Sequence, residues 1–450
     1  MRDLGASRRR YYAGFVAALI LCFTPFKTLT YILPTAFTAW MLLTTRGVVS
    51  RNRLVAVAGV AIALGVVYDL TAAEFLVSNY VLALVTYSSF LPILIIDSSA
   101  LASPTLLAQM VRASTSMLLV QGGWGAVEAV YGFTQTGSFG GANGDYVEGT
   151  MHPWLAAEEG FSNPLFAINL ALMLLVCIAV PSLLRGRQRV HVALAALVLV
   201  LASVIHVLIY SVVAIAIAFL LVRPTARAKS GANRPLWVVA LAVCGLSFLA
   251  MRTELSLVDR YAESVFEPDE SPTPRAVLLA RVASDLPRDA PLQPWIGVGP
   301  GQFSSRASLL ASGFVLGGAE TPKGLPLMSA QTTRLAWGYC FSLVRTMYDR
   351  PGTSDGSTQQ PFFSWLSVYT ELGIIGVIVV IGAAMRVIRR VQRRVRAHPH
   401  LRTQAIPFCG AVVLLLLLGL QENYWELPQG IFVGLLLLKV LYANIVYAEA

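Results

Sequence analysis

Stretches of about twenty apolar residues, separated by short polar segments, recur along almost the whole chain. The hydrocarbon core of a bilayer takes roughly 20 consecutive apolar residues per helix, so this spacing predicts transmembrane helices. The runs fall at 11–26, 28–45, 54–72, 77–97, 105–131, 163–182, 190–205, 207–222, 235–251, 364–385, 403–421 and 429–447. The expected fold is therefore an all-α membrane protein of about twelve transmembrane helices. Spans 190–205 and 207–222 require a tight reversal near His206, because one continuous helix would move every later segment to the other side. The chain divides into 1–251 with the first nine helices, a large outer loop at 252–363 containing short amphipathic helices, and 364–450 with the last three.

Composition agrees with this class: of 450 residues, 56% are hydrophobic and 13% charged, and the mean hydropathy is +0.66, too apolar for an ordinary water-soluble globule. The first apolar run follows Arg8, Arg9 and Arg10 and lacks a small-residue cleavage site, so no cleavable signal peptide is expected. Positive charge is retained on the cytoplasmic side of short loops. With both termini inside, the inner segments 1–10, 46–53, 183–190, 223–234 and 386–402 hold 21 of the 34 lysines and arginines, while outer loop 132–162 holds none. The net charge of +10 thus reflects topology rather than a nucleic-acid footprint, and the run from Arg386 to Arg402 reads as a stop-transfer and lipid-headgroup anchor. Four of the five cysteines lie in predicted spans, leaving only Cys340 outside, so no outer disulfide framework can form. The five scattered histidines offer no metal-ligand spacing, and no metal or other cofactor is expected.

The chemistry is expected in the two outer loops. Loop 132–162 mixes Gly140, Gly141 and Asn143 with the aromatics Phe139, Tyr146, His152 and Trp154 and the acids Asp145, Glu148, Glu158 and Glu159. That mixture suits either a solvated connector or a carbohydrate surface, with its flat C–H faces and many hydroxyls. Loop 252–363 is too long for a connector and must fold or dock. It opens with an acidic stretch, Glu263 to Glu270, whose spacing fits a solvated linker better than a cation site. An amphipathic helix follows from Arg275 to about Leu286, with Arg281, Asp285 and Arg288 on one face and Arg275 about 120° from Arg281. Next comes a glycine-alternating turn, Trp295-Ile296-Gly297-Val298-Gly299-Pro300-Gly301-Gln302-Phe303, where the backbone passes close to something, exposes N–H groups or re-enters the membrane. The tenth span then carries Glu371-Leu372-Gly373-Ile374-Ile375-Gly376, placing a carboxylate about two turns into an apolar helix. Such a group meets a cation, an aqueous cavity or a buried structural partner, and the two glycines admit a close neighbour.

An arginine in a helix, a turn of the Pro-Leu-x-Gly-x-Gly-x-Gly-x-Phe type beginning here at Pro294-Trp295, and Glu-Leu-Gly-x-x-Gly at the head of the next span resemble the O-antigen ligases and the O-antigen or exopolysaccharide polymerases. The motifs cover about 275–376, and the twelve-span architecture with a late large periplasmic loop is similar over nearly the full chain. The resemblance implies a bacterial inner-membrane glycosyltransferase with cytoplasmic termini and a periplasmic active site. It would transfer a glycan from a polyprenyl-diphosphate carrier to an acceptor hydroxyl without a metal, with the bilayer and other polysaccharide-assembly proteins as further partners. Arg275 matches the family's arginine ahead of the turn and is the first choice for binding the departing diphosphate, with Arg281 and Arg306 next. Gly297, Gly299, Gly301 and Phe303 are expected to line the substrate site, and Glu371 is a candidate proton acceptor.

Two departures bear on the activity. The ligases carry a histidine nine residues before the glutamate, where this chain has Phe362 preceded by Gln359 and Gln360. The family's Ser-Arg turn on an earlier helix is matched only by Ser211-Val212, with His206 nearby as a substitute or as an ordinary interfacial histidine. Polymerisation of lipid-linked repeat units is therefore the expected function, ligase-like transfer to another acceptor is the alternative, and a polysaccharide transporter or flippase is the alternative from another class.

Overall fold

The computed structural model describes residues 2–45, 48–137, 147–152, 163–202, 204–222, 274–318, 320–326, 328–348 and 361–447. Span 235–251, the acidic stretch 263–270, Gln359, Gln360 and the first outer loop's Phe139, Gly140, Gly141, Asn143, Asp145, Tyr146, Trp154, Glu158 and Glu159 lie outside them. The described chain is helical, and its only β pairing is an isolated bridge between Val49 and Ile96. The principal helices are α1 (Arg2–Cys22), α2 (Lys27–Thr44), α3 (Arg51–Thr71), α4 (Val77–Thr86), α5 (Leu91–Ile95), α6 (Pro104–Thr136), α7 (Asn163–Ala179), α8 (Gly186–Leu201), α9 (Ile205–Leu221), α10 (Pro274–Ser284), α11 (Arg306–Ala311), α12 (Ser364–Ala397), α13 (Arg402–Leu418) and α14 (Pro428–Tyr447).

Helices stand at every predicted span among the described residues. Five segments are long and apolar enough to cross a bilayer: α3, the α4–α5 segment Val77–Ile95, α12, Pro399–Leu418 and α14; Pro164–Ala179 and Ile205–Leu221 are shorter and apolar. Their ends follow ordinary capping chemistry. Ser103 caps α6 by accepting from Leu106 N, Pro104 occupies the first turn, and Gly137 closes the helix in the left-handed region at φ 73°. Helix α12 runs on through the arginines to Ala397, well past the expected edge at 385. Apolarity ends near Met385, but arginine is a good helix former and nothing breaks the helix before Pro399.

Polar contacts fix the order of the ends. Tyr11 Oη donates to Leu436 O at 3.1 Å and Cys22 Sγ meets Pro428 O at 3.9 Å, so α1 and α14 run antiparallel and their outermost termini share one end. Arg8 donates to Ala100 O and Ala102 O at that end, both at 2.9 Å. Helix α8 follows α6 upward, from Gln188 beside Thr115 to Val198 beside Gly125. Helix α9 descends along α13, from His206 at Tyr424 to Leu221 O, which accepts from Gln392. The reversal expected near His206 is thus present. Inside lipid every polar group needs an internal partner, and Asn169 shows how: its Nδ2 bridges Leu165 O at 3.0 Å and Gln429 O at 2.7 Å, tying α7 to the head of α14.

Two hydrophobic cores result. The larger joins α1, α2, α6–α9, α13 and α14. The smaller is built from α10, the described residues between α10 and α12, and the head of α12, with Leu278, Val282, Phe303, Phe314, Phe341, Phe362 and Leu366 at its centre. This second core gives the described residues of the stretch, 274–318, 320–326, 328–348 and 361–363, a folded platform. In a variant lacking the five native cysteines, a cysteine in place of Leu292, which is 55% exposed, and one in place of Arg393 should react with a membrane-impermeant maleimide from opposite faces. Labelling of both from one face of sealed vesicles would contradict this arrangement.

Candidate functional site

The glycine turn and the Glu371 segment form a single lock. Gly373 departs from helical geometry at φ 67°, ψ −169° and breaks α12 just after Glu371. The break opens the carbonyls of Thr370 and Glu371 to outside donors, and Val298 N and Gly299 N fill them at 2.9 and 3.0 Å. The two backbones touch. A Cβ on Gly297, itself at φ 79°, would stand 2.1 Å from the Glu371 carbonyl carbon, and one on Gly373 would stand 2.2 Å from Trp295 O. Only glycine fits both positions.

The Glu371 side chain completes the lock. Oε2 accepts from Gly301 N at 2.6 Å, and Oε1 accepts from Phe303 N at 3.1 Å and Ser305 N at 3.0 Å. Successive backbone N–H groups thus make a nest around one carboxylate, which is only 2% exposed. Gln302, pointing the other way, clamps the chain between α3 and α4 by bonding both N and O of Leu76 at 3.0 Å. Tyr68 Oη donates to Ile296 O.

The second component is the loop between α13 and α14, Gly419 to Leu427. Asn423 donates to Ser304 O at 3.0 Å and accepts from Ser367 Oγ at 3.3 Å. Ser364 holds Glu422 O with both N and Oγ, at 3.2 and 3.1 Å. Glu426 accepts from Tyr87 Oη at 3.0 Å and from Arg306 N at the start of α11. Burial pushes the Glu426 carboxyl up to about 8; the nearby Glu371 charge adds to this, and the Arg306 N–H, Tyr87 and the Arg306 charge counter it.

Arg306 is half-buried and turns its guanidinium to Tyr31 Oη at 3.1 Å. Burial works against its charge, but Tyr31 and the carboxylates of Glu422 and Glu426 prevail, so its pKa lies above the ordinary arginine value. Half-buried Lys27, at the head of α2, lies within electrostatic reach of Arg306, Glu422 and Glu148. Lys27 and Arg306 therefore share one basin with the carboxyl groups of Glu148, Glu422 and Glu426.

The structure brings most of the sequence-selected residues to this end of the bundle, but in different roles. Gly297, Gly299, Gly301 and Glu371 form the lock. Phe303 is fully buried and packs its ring against Tyr339 at 5.9 Å, facing the smaller core. Arg275 donates to Leu420 O and, at 3.2 Å, to Gln421 O, and lies 4.2 Å over the Phe363 ring, so it caps the carbonyls that end α13. His206 stacks on Tyr424 and shares a 3.0 Å hydrogen bond with its hydroxyl. Arg281 stands apart, reaching Gly338 O at 3.4 Å near Tyr339 and Asp289. Phe362, where the resemblance expects a histidine, is 5% exposed and packs on Phe341, so no proton acceptor stands there. Sequence reasoning missed Lys27, Tyr31, Tyr87 and the loop Gln421-Glu422-Asn423-Tyr424-Trp425-Glu426; that loop's signal was a polar, aromatic run between two apolar spans. A groove of about 560 Å³ along α12, lined by Ile378, Gly382, Arg386, Arg389, Arg390 and Arg393, belongs to the opposite, arginine-rich end.

Fold and site together define an all-helical protein with membrane-length apolar helices, carrying a charged basin where their loops converge. Compared with models of known protein families, and by sequence with curated proteins, the chain matches none.

Replacing Gly297 by Ala should cost at least about 3 kcal/mol, the sum of positive-φ strain and a backbone clash, read as a large fall in thermal unfolding temperature in detergent; an unchanged temperature would contradict the lock. Because the folded Glu426 carboxyl titrates near 8, above the 4.5 of an unperturbed carboxyl, the folded state binds the extra proton. That contribution is complete below about pH 4.5 and is lost as pH rises to 8. Thermal stability should therefore fall between pH 5 and 8 in wild type and be flatter in Glu426→Gln.

Proposed function

We propose that this chain polymerises polyprenyl-diphosphate-linked oligosaccharide repeat units, as a twelve-span inner-membrane glycosyltransferase with cytoplasmic termini and a periplasmic site. One observation carries the proposal: Arg306 and Lys27 share a half-buried basin beside the glycine lock, at the bundle end opposite the arginine-rich segment 386–402. A departing diphosphate develops negative charge, and a planar guanidinium in a semi-dry cavity binds it bidentately while an ammonium adds a point charge. Arg306 is pre-positioned for this by Tyr31 on one side and by the Glu426 anchor on its own backbone N–H on the other. Arg275, engaged with the Leu420 and Gln421 carbonyls, would shape the basin's rim through the same loop.

In this assignment Glu371 acts through position. Both its oxygens accept backbone donors, so it holds the turn that delivers Arg306 rather than taking a proton from the acceptor. Ligase-like transfer would use the same diphosphate site with a different acceptor, and product analysis separates the two.

The test uses polyprenyl-diphosphate oligosaccharides extracted from cells in which this chain is deleted. Purified wild type should convert them to a ladder of longer chains on one carrier. Arg306→Ala should lower kcat/KM by roughly 100-fold or more, the usual scale for one preorganised charge at a developing anion, and Lys27→Ala should weaken it to a smaller degree. Normal ladders from the double variant would refute the site, and absence of any elongation by wild type would refute the polymerase.

A further inference from the structure

The arginine-rich half of α12 carries charge that the described helices around it do not answer. Residues 372–402 hold seven arginines and no acid, and α9, α13 and α14, which pack on this helix, contain no acid either. The face of α12 that meets the bundle is a different one: Ile388, Val391 and Val395 are buried in the larger core, and Gln392 donates to Leu221 O at 2.8 Å. At 100° per residue Arg386, Arg389, Arg390 and Arg393 fall on the face opposite those apolar residues, and all four are exposed. Among the described residues Arg386, Arg389 and Arg393 have no hydrogen-bond or ion-pair partner, and Arg390 hydrogen-bonds only Tyr442 Oη, at 3.5 Å.

Toward Glu371 the same face becomes apolar. Ile378 and Ile381 are 63% and 46% exposed. Gly382 has no heavy atom within 4 Å of where a Cβ would stand, so it leaves a notch in the helix surface just before Met385. Together with the four arginines these residues line the groove of about 560 Å³. By helical rise the apolar half, Ile378 to Met385, and the arginine half, Arg386 to Arg393, are each about 10 Å long. The groove therefore passes from hydrocarbon depth through the headgroup layer.

We propose that this groove binds one anionic phospholipid, its phosphate held by Arg386, Arg389, Arg390 and Arg393 and an acyl chain lying over Ile378, Gly382 and Met385. The two halves of the ligand match the two halves of the groove. Each guanidinium offers paired N–H donors to phosphate oxygens, and basic residues clustered just beyond a membrane span attract anionic headgroups. A zwitterionic phospholipid also carries a phosphate, but its ammonium would lie among the guanidiniums. A second copy of the chain packed symmetrically on this face would set four guanidiniums against four. An acidic segment of a soluble partner would answer the charge and leave the apolar half unmatched. The site is independent of the glycosyl transfer proposed above, since it lies at the other end of α12.

The full chain, delipidated in detergent and titrated with phosphatidylglycerol or with phosphatidylcholine of the same acyl chains, tests this by native mass spectrometry. Wild type should take up one phosphatidylglycerol roughly 10-fold or more tightly than phosphatidylcholine. Arg389→Gln combined with Arg393→Gln should weaken phosphatidylglycerol by roughly 30-fold, the product of two basic residues beside an anionic headgroup, and leave phosphatidylcholine unchanged. Arg9→Gln combined with Arg10→Gln removes the same charge elsewhere and should leave both affinities at the wild-type value. Gly382→Leu fills the notch while keeping every arginine, and should weaken both lipids. Size exclusion and thermal unfolding establish that each variant is folded, and Gly382→Leu decides alone if the arginine pair misfolds. Equal wild-type affinity for the two lipids, undiminished phosphatidylglycerol binding in the Arg389 and Arg393 variant or in Gly382→Leu, or an equal fall in the Arg9 and Arg10 variant would overturn the site. A species of twice the chain mass in place of lipid uptake would also overturn it and give the face to a second copy.

Discussion

The bundle end that carries the glycine lock depends on buried carboxylates that accept backbone N–H groups. Glu371 gathers three donors from Gly301, Phe303 and Ser305, and Glu426 takes the next one, from Arg306. Near Lys27, Glu128 does the same for Glu148 and Gly149, at 3.1 and 2.8 Å. A loop at the membrane edge has no lattice of its own for these donors, and leaving one buried without a partner costs about 1–3 kcal/mol. Buried carboxylates solve this: Glu371 and Glu128 stand on long helices of the bundle, and Glu426 stands on the short turn that joins α13 to α14. The arrangement also explains why an ionisable group stands two turns into an otherwise apolar helix.

The lock has a geometric half as well. Charge alone would tolerate a looser turn, but the Gly297–Gly373 approach brings two main chains into contact and lets Thr370 O and Glu371 O serve as extra acceptors. Position and register of 297–306 are thereby set by α12 rather than by the loop's own sequence. Arg306, first residue of α11, inherits that precision. A guanidinium on a loop held only by side-chain contacts would lose more freedom on meeting a ligand; here that ordering precedes binding.

Much of the fold was legible in the chain because lipid imposes a strong rule, that apolar length reports helices. The same rule explains where the edges failed. Hydropathy ends near Met385, yet α12 continues twelve residues further because helix propensity, not apolarity, decides the stop. The motif pair Gly297–Phe303 and Glu371–Gly376 was also visible, since close backbone approach demands glycine. Its consequence was not. Whether Glu371 meets a substrate, a cation or a backbone depends on contacts some 70 residues apart in sequence, and no local pattern encodes which. Lys27, Tyr31 and Glu422 escaped for the same reason, each being an ordinary residue at a helix end until the fold sets them around Arg306.

The carboxylates of this bundle end serve mainly as anchors. Those with both oxygens spent on backbone or tyrosine donors hold the scaffold rigid and are withdrawn from chemistry by the same hydrogen bonds that make them useful. Glu422 has its main chain fixed as well, Ser364 donating to its carbonyl through both N and Oγ. Arg306 shows the complementary division, its backbone anchored to Glu426 and its guanidinium presented beside Lys27. Anchoring the main chain while freeing the charged group is what a site must do if it is to meet a phosphorylated headgroup at a membrane surface without reorganising, since preorganised charge stabilises a developing anion at no further ordering cost.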